Sequence, residues 1–295
     1  MIVIGKEKYC DFATIQEGVN FLEQKPESEI KRMIILSGVY EEYIEIRLSN
    51  FEMIGLGDVQ IIGNRHARQL HDDGEELGTF RTATVFLEGE NIIVRNLTII
   101  NQAGQGDGIG QAIALFAYCH HAEFYNCRLE GHQDTLCTGP LPDAQSDGTA
   151  FTTVQLKYNL TYCKQLYKNC FISGTVDFIF GGAAADFENC EINSRYRPKQ
   201  GGFITAASTP KGQEQGYVFK RCFISAEPGV EKIFLGRPWR PYAQTTFDHC
   251  YLGEHILPEG WDDWGKKTNQ QTVKYEEIQS INVNQLARPS WVSVK

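Results

Sequence analysis

The chain has 295 residues, of which 42% are hydrophobic and 22% are charged, and its formal net charge is −9. These values are ordinary for a globular protein with a sizeable core, and they exclude collagen-like, low-complexity and disordered chains. Nucleic acids and anionic membrane surfaces are bound by an excess of basic residues, so the acidic balance predicts neither as a partner. No apolar run approaches the roughly 20 residues that a membrane-spanning helix needs.

The N-terminus predicts a cellular location. Residues 1–12 (MIVIGKEKYCDF) contain no basic segment followed by an apolar stretch, so the chain carries no recognisable secretory signal. We therefore expect a cytoplasmic protein, or a secreted one if a leader has been removed.

A short helix is predicted next. Thr14 and Glu17 have the spacing of a capping box, in which each side chain bonds the other residue's backbone N–H. The apolar residues that follow share one face of the helix: Ile15, Val19 and Leu22. Such a helix can cover the open end of a core.

Cysteines mark a repeat. There are nine and no CxxC pair, so we expect free thiols. Five follow an aromatic residue and precede an apolar one by two positions: Cys127, Cys170, Cys190, Cys222 and Cys250. This alternation is typical of strands, and its return after 43, 20, 32 and 28 residues indicates a solenoid whose rungs carry loops of varying length. We therefore predict one all-β domain over residues 1–295, with the cysteines stacked inside it.

Two rungs carry an aspartate at the same offset. Asp134 and Asp177 each follow the cysteine of their rung by seven residues. Residues 139–148, in the gap between them, are rich in turn formers, so we interpret the gap as a loop and the two rungs as adjacent. Adjacent strands lie about 4.7–4.9 Å apart, which would bring the carboxylates together. Repulsion then raises the pKa of one carboxyl while a cation can keep the other low, which supplies an acid and a nucleophile.

Four motifs in a fixed order accompany these aspartates. They are residues 110–115 (GQAIAL), 131–136 (GHQDTL), 174–181 (GTVDFIFG) and 235–239 (LGRPW). Together they resemble the pectin methylesterase family, carbohydrate esterase family 8. The resemblance runs from TIQEGV at residues 14–19 to Trp261 and Trp264, nearly the whole chain. It implies a right-handed parallel β-helix, in agreement with the solenoid predicted above.

The resemblance implies three catalytic roles. Asp177 would be the nucleophile that attacks the methyl-ester carbonyl of a galacturonate unit. Asp134 would protonate departing methanol and then activate water, a transfer typically worth about 10²–10⁴-fold in rate. Arg237 would keep Asp177 ionised and oriented, because an arginine–carboxylate pair is charge-assisted.

The remaining implied roles concern the oxyanion and the sugar. Gln111 and Gln133 would donate amide hydrogens to the oxyanion without neutralising the nucleophile. Trp239 would pack against the sugar, and Phe180 would shape the same cleft. Gln102 stands where the family usually has a threonine that touches substrate, so it joins the substrate-binding residues.

The chain also departs from the plant pattern. Its two aspartates are about twice as far apart in sequence as in the plant enzymes, which is similar to bacterial members with an inserted loop after the QDTL motif. Residues 138–162 are predicted to form a wall over the cleft. Together with the N-terminus, this loop favours short oligogalacturonides over polymer.

The prediction is a monomeric ester hydrolase that acts on methyl-esterified pectin or oligogalacturonide with no cofactor and no metal. One alternative is an esterase of the same fold for a different ester or a thioester. A lyase would need a Ca²⁺ cluster and a basic catalyst, and a glycosidase would use paired acids without an amide oxyanion hole. Gln111 and Gln133 favour ester chemistry over both. A non-catalytic carbohydrate-binding solenoid would be expected to have lost one of the catalytic residues.

Overall fold

The computed structural model describes residues 1–72, 74–145, 147–151, 154–199, 201–283 and 288–295. Within these ranges there are 23 strands, one α-helix and two 3₁₀ helices. The helix α1 is Ile15–Leu22, and the 3₁₀ helices are Thr79–Thr82 and Lys267–Gln271. The strands are β1 Ile2–Ile4, β2 Lys31–Tyr40, β3 Ile44–Arg47, β4 Phe51–Gly63, β5 Val85–Arg95, β6 Thr98–Asn101, β7 Leu115–Tyr125, β8 Arg128–Glu130, β9 Leu136–Thr138, β10 Lys164–Lys168, β11 Phe171–Gly174, β12 Val176–Gly181, β13 Ala184–Glu188, β14 Glu191–Ser194, β15 Gly202–Ala207, β16 Tyr217–Lys220, β17 Phe223–Ala226, β18 Ile233–Gly236, β19 Gln244–Asp248, β20 Tyr251–Leu252, β21 Lys274–Ile278, β22 Ile281–Asn282 and β23 Ser293–Val294.

The strands pair in parallel and wind into a coil with three faces. The first face holds β1, β2, β4, β5, β7, β10, β13, β16, β19, β21 and β23. The second continues from β4 through β6, β8, β11, β14, β17, β20 and β22. The third holds β3, β5, β7, β9, β12, β15 and β18, and the long strands β4, β5 and β7 bend from one face to another. The fold is the predicted right-handed parallel β-helix, the hand that parallel crossovers almost always take.

The cysteine repeat lies in register inside the coil, as predicted. The preceding aromatic residues form an aromatic column: Phe124, Tyr167, Phe187, Phe219 and Phe247. Neighbouring rings are stacked 4.4–4.8 Å apart, and each pair adds about 0.5–1.5 kcal/mol beyond its burial. The five cysteines are buried, and their thiols donate to backbone carbonyls. All nine cysteines are free, as expected.

A sharp corner precedes each cysteine of the repeat. The residue before it has φ between 52° and 54° on all five rungs: Asn126, Asn169, Asn189, Arg221 and His249. This left-handed conformation turns the chain from the first face to the second, and asparagine adopts it more readily than most residues. The corner explains why a polar residue recurs at this place in the repeat.

The predicted helix caps the coil. The Thr14 hydroxyl accepts from the Glu17 N–H, and the Glu17 carboxylate accepts from the Thr14 N–H, which confirms the capping box. The three predicted apolar residues of α1 are buried, and the helix packs against β1, β2 and β3. The described helices include none long and apolar enough to span a bilayer.

The gap between the aspartate rungs is a loop, and the rungs are neighbours. Because β7 pairs with β10 and β9 with β12, residues 139–163 leave the coil and return without adding a rung. We call this segment the strap; Ser146, Thr152 and Thr153 of the predicted insertion lie outside the described residues. Backbone carbonyls anchor the strap over the third face: that of Ala144 to Arg240, that of Gln155 to Arg47 and that of Leu160 to Tyr118, at 2.8–3.0 Å.

Candidate active site

The third face brings the two aspartates together. Asp134 lies just before β9, and its backbone N–H donates to the carbonyl of Val176 at 3.0 Å, next to Asp177 in β12. Both aspartates are 7% exposed and adopt positive φ, 66° for Asp134 and 49° for Asp177. Left-handed backbone at buried non-glycine residues is uncommon and clusters at functional sites.

One of the two carboxylates has a dedicated cation. Arg237 follows β18, two strands beyond β12 on the third face, and its side chain reaches back to Asp177. Its Nε donates to Oδ1 of Asp177 at 2.9 Å, and its Nη2 donates to Oδ2 at 2.6 Å. This bidentate geometry fixes the plane of the carboxylate as well as neutralising its charge. Arg237 therefore lies where the sequence predicted it.

Electrostatics separate the two aspartates. The pKa of Asp134 is raised well above its usual value by burial and by the negative charge of Asp177, with only partial opposition from Arg237. The pKa of Asp177 is also raised by burial, while its hydrogen bonds and charge attraction to Arg237 act in the opposite direction. Our expectation that Arg237 keeps the pKa of Asp177 low is therefore wrong, because burial outweighs the ion pair. The direct bonds to Arg237 still favour the charge on Asp177, so Asp134 is the better proton carrier.

The same motif contains a histidine. His132 lies two residues before Asp134. Burial and the nearby Arg195 charge lower its pKa to about 4, so its ring is neutral near pH 7. The carboxyl pair is therefore the titrating group of this motif.

Two glutamines lie next to the segments that carry the carboxylates. Gln111 precedes β7 and Gln133 precedes β9, and the N–H of Ala112 donates to the Gln133 carbonyl at 3.0 Å. Both glutamines line one cleft, which also includes Thr175 and Val176, the residues immediately before Asp177. Neutral N–H donors at this place can stabilise a developing oxyanion without competing for the nucleophile.

Aromatic side chains pack together on the third face and form an aromatic floor. The rings of Trp239 and Phe180 meet edge to face with centroids 5.7 Å apart. Phe180 is only 4% exposed, so it can shape the floor but offers a sugar little surface. Two residues not singled out from the sequence join them: Phe151 of the strap is 5.3 Å from Phe80 and 6.4 Å from Trp239. Phe151 could have been noticed as an apolar residue within a polar insertion.

The structure separates Gln102 from the other predicted residues. Gln102 is exposed, and its backbone N–H donates to the carbonyl of Gly63. Among the described contacts, none joins its side chain to the aspartates, Arg237 or the glutamine cleft. Its neighbour Asn101 is buried and bonds the backbone around it, so this motif has a structural part.

Two aromatic rings that contact Arg237 were not predicted from the sequence. Phe203 and Trp264 each lie within 4 Å of its guanidinium carbon. Trp264 stood at the end of the resemblance without a role, and nothing in the sequence singles out Phe203. Within the described ranges, no three His, Cys, Asp or Glu side chains converge in a way that suits a metal ion.

Comparison with known proteins places these residues in a family. A family model described as Pectinesterase matches residues 1–141 and 143–295. Putative pectinesterase/pectinesterase inhibitor 38 of Arabidopsis thaliana is 35% identical and covers 95% of this chain, and pectinesterase 2 of Citrus sinensis is 33% identical and covers 94%. This chain spans 55% and 50% of their lengths, and 41% and 38% of two other Arabidopsis relatives.

Solved structures agree. The pectin methylesterase from carrot has a TM-score of 0.81 at 27% identity, and the comparison covers 100% of this chain and 87% of that one. Pectin methylesterase PemA from Erwinia chrysanthemi has a TM-score of 0.81 at 26% identity, with 100% and 92% covered. Plant and bacterial proteins are thus both similar, and a bacterial type of insertion is not distinguished. The protein belongs to the pectinesterase family.

Proposed function

We propose that this chain hydrolyses methyl esters of galacturonate units in pectin or oligogalacturonides and releases methanol. The observation that carries the proposal is the buried pair of Asp134 and Asp177, of which only Asp177 is bonded to Arg237. Gln111 and Gln133 line a cleft that also includes Thr175 and Val176, the residues immediately before Asp177. The names of the relatives, pectinesterase and pectin methylesterase, support the same reaction.

The first half of the reaction forms an acyl-enzyme. The carboxylate of Asp177 attacks the ester carbonyl carbon, and the amides of Gln111 and Gln133 bind the oxygen that becomes negative. The tetrahedral intermediate collapses by breaking the bond to the methoxy oxygen, which takes the proton of Asp134 and leaves as methanol. An anhydride now joins Asp177 to the sugar carboxyl group, and Asp134 is ionised.

The second half restores the enzyme. The Asp134 carboxylate takes a proton from water while the water oxygen attacks the sugar acyl carbon. The bond to Asp177 breaks, Asp177 leaves as a carboxylate beside Arg237, and the galacturonic acid product departs. Because the cycle starts with Asp177 ionised and Asp134 protonated, the rate should fall at both low and high pH.

The strap supports a narrower substrate class. Phe151 lies against Phe80 and Trp239, so the strap closes over part of the aromatic floor. For a substrate that lies along this floor, a polymer must pass the contact, whereas a short chain can bind beside it. We therefore propose that short oligogalacturonides are the preferred substrates. A cytoplasmic location, a monomeric state and a bacterial type of insertion stay predictions from the sequence.

The direct test measures methanol release from methyl-esterified polygalacturonate and from short methylated oligogalacturonides. Asp177→Asn and Asp177→Ala should each lose at least about 10⁴-fold in kcat, as nucleophile removal typically does. Asp186→Asn is the matched control, because Asp186 pairs with Lys220 on the first face, away from the cleft. It should keep wild-type kcat. No methanol from either substrate with folded wild-type protein would contradict the proposal, and other esters would then be tested.

A further inference from the structure

The side chain of Arg237 reaches Asp177 from two strands away. Its own strand, β18, is separated from β12 of Asp177 by β15, so the side chain crosses a full rung to reach the carboxylate. Arg237 keeps 21% of its side-chain surface exposed, and a long flexible side chain at a partly wet site has other orientations available. Contacts other than the ion pair can therefore contribute to where the guanidinium lies.

Two aromatic rings supply that constraint. The guanidinium carbon of Arg237 is 3.9 Å from the ring centroid of Phe203 and 3.8 Å from that of Trp264. Both distances are well inside the roughly 6 Å limit of a cation–π contact, and a planar guanidinium can stack on such rings while its edge bonds a carboxylate. The edge of Arg237 is the part that bonds Asp177.

Both rings are themselves fixed. Phe203 lies in β15, in register with Val176 on one side and Phe234 on the other, and stacks on the Phe234 ring at 5.2 Å. Trp264 has φ of 59°, and its backbone N–H donates to the Asp262 carboxylate at 2.7 Å, which holds the turn that carries the ring. The constraint on Arg237 therefore comes from two separate elements, β15 and the turn after residue 260.

We propose that Phe203 and Trp264 form a clamp that positions Arg237 independently of the charge on Asp177. The inference rests on the proposed function, because it concerns the acyl-enzyme. Asp177 loses its negative charge when it forms the anhydride, so the ion pair vanishes for half of the cycle. The clamp keeps the guanidinium in place through that interval, ready to stabilise the carboxylate that departs when water attacks.

The test replaces the ring of Phe203. Phe203→Leu keeps an apolar side chain but removes the π face, and Phe203→Tyr keeps both. Phe223→Leu is the matched control, because Phe223 makes a similar stack on Tyr251 at 5.0 Å but lies on the second face, away from Arg237. We expect Phe203→Leu to lower kcat by about 3- to 30-fold with little change in KM, as loss of one cation–π contact predicts.

The pH profile distinguishes positioning from packing. A looser Arg237 stabilises the Asp177 carboxylate less, so the acid limb of kcat/KM should move to higher pH in Phe203→Leu and stay in place in Phe203→Tyr and Phe223→Leu. An unmoved acid limb in Phe203→Leu, or an equal loss of kcat in Phe223→Leu, would overturn the clamp. If Phe203→Leu does not fold, Trp264→Leu with Trp264→Phe as its control takes the same readout. If the wild type is active and Phe203→Leu has the same kcat and pH profile, only the clamp is contradicted. If the wild type itself is inactive, the proposed function is contradicted.

Discussion

The aromatic column and the catalytic face occupy the same rungs but are organised differently. The column places one ring of similar size on each of five rungs, so every member contacts its neighbours. On the third face each proposed catalytic residue occurs once: Asp134 lies before β9, Asp177 lies in β12 and Arg237 follows β18. Stability is therefore spread along the column, whereas the proposed reaction depends on single side chains. Substitutions should affect one property or the other, and the following experiments test that separation.

The largest loss of stability is expected at the middle of the column. Phe187 is fully buried between Tyr167 and Phe219, so Phe187→Ala should lower the free energy of unfolding by about 3–5 kcal/mol. Phe223→Ala is the control, since Phe223 is 49% exposed and stacks on Tyr251 outside the coil. Urea unfolding followed by circular dichroism measures both. Equal losses would mean that the column has no special role.

Substitution of the two glutamines should lower activity with little effect on stability. Gln111→Ala and Gln133→Ala should each lower kcat by about 10²–10³-fold, the usual effect of removing an oxyanion donor. Their unfolding free energies should stay within about 0.5 kcal/mol of wild type. Gln60→Ala, a change on the second face, should alter neither quantity. A rise in KM at constant kcat would assign the amides to ground-state binding instead.

Asp134 should make the stability of the protein depend on pH. Its folded-state pKa is raised, so the native state holds a proton that the unfolded state releases near pH 4. Its contribution to stability is full below that pH and is lost as pH rises through the folded-state pKa. Asp134→Asn should thus be inactive yet more stable than wild type at pH 7, with the difference shrinking toward pH 4. Parallel unfolding curves across pH 4–8 would show that Asp134 has no raised pKa.

The smallest effect is expected at the strap. Phe151→Ala should raise the ratio of activity on polymer to activity on short oligomers by about 2- to 10-fold, or roughly 0.4–1.4 kcal/mol. Leu156→Ala, at a more exposed residue of the strap, should leave the ratio unchanged. Methanol release on the two substrates gives the ratio directly. An unchanged ratio in Phe151→Ala would exclude this ring as a barrier to polymer.

The same contrast explains what the sequence could predict. The repeat that carries the column could be recognised because Cys127, Cys170 and their counterparts recur with matching flanks, although only the stacking of the cysteines was predicted from it. The aspartate pair could be predicted because both residues lie at the same distance in sequence from the cysteine of their rung. Each relies on periodicity, which reports register along the coil without any knowledge of three-dimensional contacts.

Residues that contact each other across rungs could not be predicted in this way. Phe203 contacts Arg237 only because the arginine reaches back over β15, and no local pattern encodes that reach. The sign of the Asp177 pKa shift depends on the competition between burial and one ion pair, which requires coordinates. Gln102 was assigned by position in a motif, but its side chain points to solvent in a turn whose buried member is Asn101.

The left-handed corner before each cysteine of the repeat has a consequence for how such a protein can evolve. From one repeat cysteine to the next, the chain length varies from 20 to 43 residues, yet the aromatic rings stay in register. Insertions and deletions can therefore accumulate between corners without re-aligning the coil. A lineage can remodel the rim of the cleft, and with it the accepted substrates, while inheriting the reacting groups unchanged. Duplication of a whole unit would simply lengthen the cylinder by about 4.8 Å.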